Sequence, residues 1–195
     1  MQPLLIIVSG PPCAGKTVLG AWLAQHLRLP LFHRDSFKEV LFDSLGWSDL
    51  EWSQRLGSAS YHLLYHTLET LLKAQNSVII ESNFDPSYDT ERLAQLQQQY
   101  RFVCLQVRCM ADGPILFERF KRRVQSGERH PGHIDEQNIP IYQSIVTEGA
   151  GARNDFLDLP SERIDINTND FDAIDYVNLQ SQINAAITRL RRPTE

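Results

Sequence analysis

An apolar run from Leu4 to Val8 leads directly into Gly10-Pro11-Pro12-Cys13-Ala14-Gly15-Lys16-Thr17, a G-x-x-x-x-G-K-T sequence. A buried strand, a tight loop and a helix must follow one another there. Gly10 and Gly15 accept backbone conformations closed to residues with a Cβ, so successive N–H groups can converge on phosphate oxygens. Lys16 would reach the β and γ phosphates, and Thr17 would place its hydroxyl on Mg²⁺. The helix that starts at the loop adds the positive end of its dipole. Leu19, Trp22, Leu23 and Leu27, spaced by three and four, give that helix its core face. Gly10, Pro11, Pro12, Cys13, Ala14, Gly15, Lys16, Thr17 and Val18 are therefore the expected nucleotide-binding stretch.

At 195 residues the chain suits one domain, expected over 1–195, with a small insert. A net charge of −5 and a pI of about 5.7 disfavour a broad footprint for DNA or RNA. Positive charge is concentrated in Arg119, Lys121, Arg122, Arg123 and Arg129. That segment suits either a phosphate site or a solvated helix face. Cys13, Cys104 and Cys109 show neither C-x-x-C nor metal-ligand spacing, so a reducing, cytoplasmic setting is the expectation. The first apolar run is too short for a signal peptide or a membrane span. His62 and His66 lack the acidic residue and third ligand of a metal helix and read as ordinary helix-face residues.

Strand-like runs recur at Leu4 to Ser9, Leu31 to His33, Ser77 to Ser82, Phe102 to Arg108 and Arg163 to Ile166, with helical stretches between them. That alternation predicts an α/β fold on a parallel sheet, whose ligands bind at the carboxyl ends of the strands. The longest helix is expected from about Ser48, capped by a Ser48–Glu51 box, to about Ala74, with Leu56, Ala59, Leu63, Leu64, Leu68, Leu71 and Leu72 as its core stripe. Further helices are expected over Thr90 to Gln99, Gly113 to Gln125 and Asp175 to Leu190. Ser126 to Gly132 and Gly149-Ala150-Gly151 break the pattern on either side of a short helix near Ile139 to Val146. They mark a lid over about 126–152.

Phosphoryl transfer needs an in-line acceptor, a group for its proton, Mg²⁺ and cations on the γ-phosphoryl oxygens. Asp35, in His33-Arg34-Asp35-Ser36 after the second strand, is the candidate base; its alternative role is an N-cap. Arg119, Arg122 and Arg123 repeat at three and four, and Arg129 lies in the lid; such cations would spread transition-state charge. His130 and His133 are either acceptor contacts or exposed loop residues.

With Asn167-Thr168-Asn169 after the last strand, these residues together resemble a small P-loop kinase. The likeness is to the branch with polynucleotide 5′-hydroxyl kinases, chloramphenicol phosphotransferase and zeta-toxin-like kinases. The resemblance implies a three-layer fold with a five-stranded sheet in the order 2-3-1-4-5 and a helical lid. It implies ATP and Mg²⁺ as ligands, an acid-base role for Asp35, and lid roles for Arg123 and Arg129 beside the catalytic Lys16. Arg119 and the loop from Asn167 to Asn169 would sandwich adenine; Asn167-Thr168-Asn169-Asp170 lacks the Lys of a guanine-reading N-K-x-D, which favours adenine. Where many P-loop proteins carry Asp after the third strand, this chain has Glu81, a candidate for holding Mg²⁺ through water. Arg34, Asp35, Asn83, Phe84 and Asp85 would hold the acceptor, and Phe42, Trp47, Trp52 and Tyr88 are available for stacking.

The reaction expected is transfer of the γ-phosphoryl group to a hydroxyl of a small molecule. A polynucleotide 5′-hydroxyl kinase and a nucleotide-dependent ATPase or switch module are the alternatives.

Overall fold

The computed structural model describes residues 2–147 and 155–192. Its centre is the strand β1 (Leu4–Ser9), buried at every position. β2 (Leu31–His33), β3 (Val78–Glu81), β4 (Val103–Met110) and β5 (Glu162–Asn167) join it in a parallel sheet of order β2-β3-β1-β4-β5. The register sets Ile7 against Ile80 on one side and Gln106 on the other.

Alternate residues of a strand face opposite sides, and β1 is apolar on both. Leu4, Ile6 and Val8 pack against α1 (Lys16–Leu27), α5 (Gly113–Ser126) and α7 (Tyr176–Leu190), through Leu19, Leu23, Leu116, Phe120, Leu179 and Ile183. Leu5 and Ile7 pack on the other face against α3 (Leu50–Lys73) and α4 (Pro86–Tyr100), through Leu64, Leu68, Leu72, Leu93 and Leu96. Each such side chain, fully buried, contributes about 1.5–3 kcal/mol. Two apolar clusters on one sheet make the three layers. All strands run in parallel, so Ser9, His33, Glu81, Met110 and Asn167 end at one edge.

Several elements differ from the sequence expectation. The long helix is capped by Asp49, whose carboxylate accepts from the Trp52 N–H at 2.8 Å, and not by Ser48. Asp49 has the same three-residue reach and adds a negative charge at the helix N-terminus. Leu63, expected in its core stripe, is 39% exposed. α4 starts at Pro86, four residues early, because Asp85 caps it through the Ser87 N–H. α2 (Arg34–Leu45) begins directly at the end of β2 with His33 as its N-cap residue, so Asp35 lies inside the first turn and is not the cap. The short lid helix is longer than expected, α6 (Asp135–Thr147) with Pro140 inside it. The expected break at Gly149-Ala150-Gly151 falls outside the described residues.

Candidate active site

The phosphate loop joins β1 to α1 under tight steric limits. Gly10 has φ 132° and a Cβ there would run into the Cys109 carbonyl; Gly15 has φ 85° and a Cβ there would run into the Phe171 ring. Lys16 is buried, and its Nζ donates to the Pro11 carbonyl at 2.8 Å. Burial lowers its pKa, while Glu81 opposes the shift. The Tyr142 hydroxyl of α6 donates to the Pro12 carbonyl at 2.6 Å and ties the lid helix to the loop.

On the β3 side, the Thr17 hydroxyl donates to Glu81 Oε2 at 3.0 Å, and His33 Nδ1 lies 2.8 Å from the same oxygen. A hydroxyl and a carboxylate are hard oxygen donors of the kind Mg²⁺ prefers. Among the described residues no group of three His, Cys, Asp or Glu side chains could hold a metal. A divalent ion at Thr17 and Glu81 would therefore take its remaining ligands from phosphate and water, which fits the way Mg²⁺ binds nucleotides.

Across the cavity stands Asp35. Its Oδ1 accepts from Arg34 Nε at 3.2 Å and Nη2 at 2.6 Å, and its Oδ2 accepts from Arg129 Nη2. Burial pushes this carboxyl up, but Arg34 and Arg129 outweigh it and hold Asp35 well below the usual carboxylate range. Arg34 in turn lies over the Tyr61 ring, 5.0 Å from its centroid. Arg129 Nη1 reaches both oxygens of Asp135 at 2.8 and 2.9 Å, and Arg123 Nη2 lies 3.2 Å from the same carboxylate. The Arg123 Nε is a buried donor with no hydrogen-bond partner among the described residues.

The segment that carries Arg129 lies against α2. His133 Nε2 is 2.9 Å from Glu39 Oε1, and His130 Nε2 is 3.2 Å from Asp43 Oδ1. Burial and then Arg129 lower the His133 pKa to about 3, so its ring is neutral and donates to Glu39. Gly132 is required here because a Cβ would strike the Phe42 ring. Together these walls enclose a cavity of about 340 Å³ that includes Lys16, Thr17, Arg34, Asp35, Glu81, Asn83, Arg123 and Arg129.

Not every expected residue lines that cavity. Phe84 is 1% exposed in the core and Asp85 is the cap of α4, so Asn83 is the member of that trio on the cavity wall. Phe42 is 1% exposed and stacks with His130 at 5.0 Å, and Trp52 donates to the Gly46 carbonyl at 3.0 Å. Val18 is 60% exposed on α1. Arg119 and Arg123 have different partners. Arg119 Nη2 donates to the carbonyls of Thr168 at 2.7 Å and Asn169 at 3.1 Å, and its guanidinium covers the Phe171 ring at 4.0 Å. Arg119 Nη1 is a buried donor with no hydrogen-bond partner among the described residues. Asn169 Nδ2 donates to Asp112 Oδ2 at 3.0 Å, and Asn167 Oδ1 accepts from the Asn169 N–H at 2.9 Å. The side chains of this loop therefore shape the loop itself.

Lys38 and Asp135 line this cavity and escaped the sequence reading, as did Glu39 and Tyr61, which stand behind His133 and Arg34. Lys38 follows Arg34 by four and Asp35 by three, a spacing that places all three near one helix face. Asp135 carries no comparable signal.

Residues 5–142 match the AAA domain family AAA_33. A crystal structure of a candidate kinase from Chloroflexus aurantiacus J-10-fl is 41% identical, with 95% of this chain and 99% of that chain covered and a TM-score of 0.86. A sugar kinase from Janibacter sp. HTCC2649 superposes with a TM-score of 0.54 at 13% identity, covering 96% of this chain and 95% of that one. A gluconokinase from Sinorhizobium meliloti 1021 superposes with a TM-score of 0.52 at 16% identity, covering 96% and 93%. The last two share the fold alone. No curated protein matches the sequence. A phosphate loop on the central strand of a 2-3-1-4-5 parallel sheet agrees with the family match, and the chain belongs to the AAA_33 family of AAA domains, with the architecture of a small P-loop kinase.

Proposed function

We propose that this protein is an ATP- and Mg²⁺-dependent kinase that transfers the γ-phosphoryl group to a hydroxyl of a small molecule. One observation carries the reading. The phosphate loop, the Thr17–Glu81 pair, the carboxylate of Asp35 and the guanidiniums of Arg123 and Arg129 all line one cavity. A switch module has no need of a carboxylate facing the phosphate loop. The similarity to a candidate kinase at 41% identity supports the same reading.

Lys16 and the loop amides would hold the β and γ phosphates, replacing the Pro11 carbonyl as the partner of the ammonium. Thr17, with Glu81 behind it, would hold Mg²⁺, which when bound neutralises charge on the phosphate oxygens. Asp35 would accept a hydrogen bond from the acceptor hydroxyl and orient its oxygen toward phosphorus. As the new O–P bond forms, the bond to the leaving ADP oxygen breaks, and the hydroxyl proton passes to the Asp35 carboxylate. Arg129 would leave Asp35 for the transferring group, which lets the carboxyl rise toward its ordinary pKa as it takes that proton. The whole of 1–195 would act as one domain, with a lid over about 126–152. Arg119, above the loop from Asn167, would offer its guanidinium to adenine.

Transfer of labelled γ-phosphate from ATP to a pool of hydroxyl compounds tests the reading, with Asp35→Asn in parallel. The pool includes a 5′-hydroxyl oligonucleotide. A labelled product that is lost in the variant, with nucleotide binding retained, supports it. Hydrolysis alone, unchanged by the variant, would favour an ATPase or switch.

A further inference from the structure

The cations of the cavity are not all accounted for by a nucleotide. Lys16, Arg123 and Arg129 face the phosphate loop, and Arg34 is spent on Asp35. Lys38 remains. It is 8% exposed, and its Nζ donates to the Ser53 hydroxyl of α3 at 2.9 Å. Ser53 is itself buried, and the end of the Lys38 chain lies along Gly57, where a Cβ would stand 3.6 Å from Nζ.

No carboxylate comes within ion-pair distance of Lys38 among the described residues. The charged groups that bear on it are Arg34 and Arg129, which repel it, and Asp35 and Asp135, which attract it but already accept from arginines. His133 from the lid segment is neutral. The Lys38 ammonium has the Ser53 hydroxyl as acceptor and the Phe42 ring 5.2 Å away, which leaves two N–H groups to face the cavity. Burial and then Arg34 bring its pKa down to about 8. A hydrophobic residue would pack against Phe42 and Gly57 at less cost. A ligand that brings its own negative group would offset this charge.

We propose that the phosphate acceptor is a small hydroxylated compound carrying an oxyanion, a carboxylate or a phosphate, which Lys38 anchors while Asp35 engages the hydroxyl. This rests on the kinase reading. Lys38 follows Asp35 by one helical turn, a separation of roughly 5–6 Å between Cβ atoms. The hydroxyl and the anion are therefore only a few bonds apart, and the cavity of about 340 Å³ has to hold the phosphates as well. Asn83, on the wall formed by the end of β3, supplies an amide to the hydroxyls between them.

Matched probes test this with the full chain. Gluconate against glucose reads the carboxylate source, and glycerol 3-phosphate against glycerol reads the phosphate source. Equilibrium binding is measured for each in the presence of Mg²⁺ and a non-hydrolysable ATP analogue, and transfer from ATP is measured alongside. The expected result is at least tenfold tighter binding of one anionic probe than of its neutral twin. Lys38→Met should remove that preference, Lys38→Arg should restore most of it, and nucleotide affinity reports that both variants are folded. Equal binding of both members in each pair, or a preference that survives Lys38→Met, overturns the proposal. Use of the 5′-hydroxyl oligonucleotide alone also overturns it, since the anion would then belong to a polymer. Anion binding that depends on Lys38 without any transfer keeps the subsite and counts against the kinase.

Discussion

Arg129 closes on the carboxylate of Asp35, a residue 94 positions earlier in the chain. Two more contacts continue the pattern along α2, Glu39 with His133 and Asp43 with His130. Asp35, Glu39 and Asp43 are spaced by four, so one face of a helix presents three carboxylates to Arg129 and two histidines of the lid segment, of which His133 is neutral. Asp35 and Arg129 occupy each other in this arrangement. A phosphoryl group entering the cavity would compete for Arg129 and release the carboxylate for the acceptor. On the proposed kinase reading, nucleotide binding and readiness of the base would be coupled. Asp35→Asn is expected to lower transfer by about 10²–10⁴-fold while nucleotide affinity changes by a few-fold at most. Single-turnover transfer and calorimetric nucleotide titration check the two halves.

Asp135 holds Arg123 and Arg129 together, and its side chain is only 14% exposed. Asp135→Asn leaves two guanidiniums facing each other without their carboxylate, a loss of about 1–3 kcal/mol. Polyphosphate supplies the missing negative charge, so saturating ATP should raise the Tm of the variant more than that of the wild type. Thermal unfolding with and without ATP measures the difference. Equal shifts would mean that the phosphates do not reach these arginines.

Glu81 receives Thr17 and His33 on one oxygen and is 7% exposed. Glu81→Gln keeps the size and loses the charge. The Mg²⁺ concentration for half-maximal activity is expected to rise about 10–100-fold, with a smaller effect on affinity for metal-free nucleotide. A Mg²⁺ titration of hydrolysis or transfer decides it.

Arg119 is stacked on Phe171 and bonded to two loop carbonyls. If it is the platform for adenine, Arg119→Ala should weaken ATP binding by about 1–2 kcal/mol, roughly tenfold, and leave inorganic tripolyphosphate unaffected. Competition between the two ligands provides the readout, and equal losses would move Arg119 to the phosphates.

Lys38, with its pKa brought to about 8, would tie binding of the proposed acceptor to pH. It is charged below that value, so affinity for an anionic acceptor should fall as pH rises through about 8. Stability runs the other way. Between about 8 and the ordinary lysine range near 10.4, the unfolded chain binds a proton that the folded chain has released, so stability rises with pH across that window. Denaturant midpoints at the two ends of the window, for wild type and Lys38→Met, test it; the rise should be smaller in the variant.

Local chemistry made much of this legible in one dimension. The inner strands β1, β3 and β4 follow from nearly continuous apolar runs, because a residue buried on both faces of a sheet must be apolar wherever the strand lies. The phosphate loop follows from two glycines whose conformations few other residues adopt, and Asp35 was found because a carboxylate right after a strand lies at the ligand edge of such a sheet. What depended on the tertiary structure is every pairing between distant segments. Phe84 and Asn83 are neighbours in sequence, yet Phe84 is in the core and Asn83 is on the cavity wall. Asp85 and Asp49 are helix caps, which no composition distinguishes from ligands. Lys38 shows its significance only once α3 brings Ser53 and Gly57 against it with no carboxylate. Asp135 does so only once α6 sets it between two arginines. The sequence alone determined which residues carry charge, turn the chain or seek the core. Packing decided which charges meet, because burial and counter-charge are properties of three-dimensional neighbours.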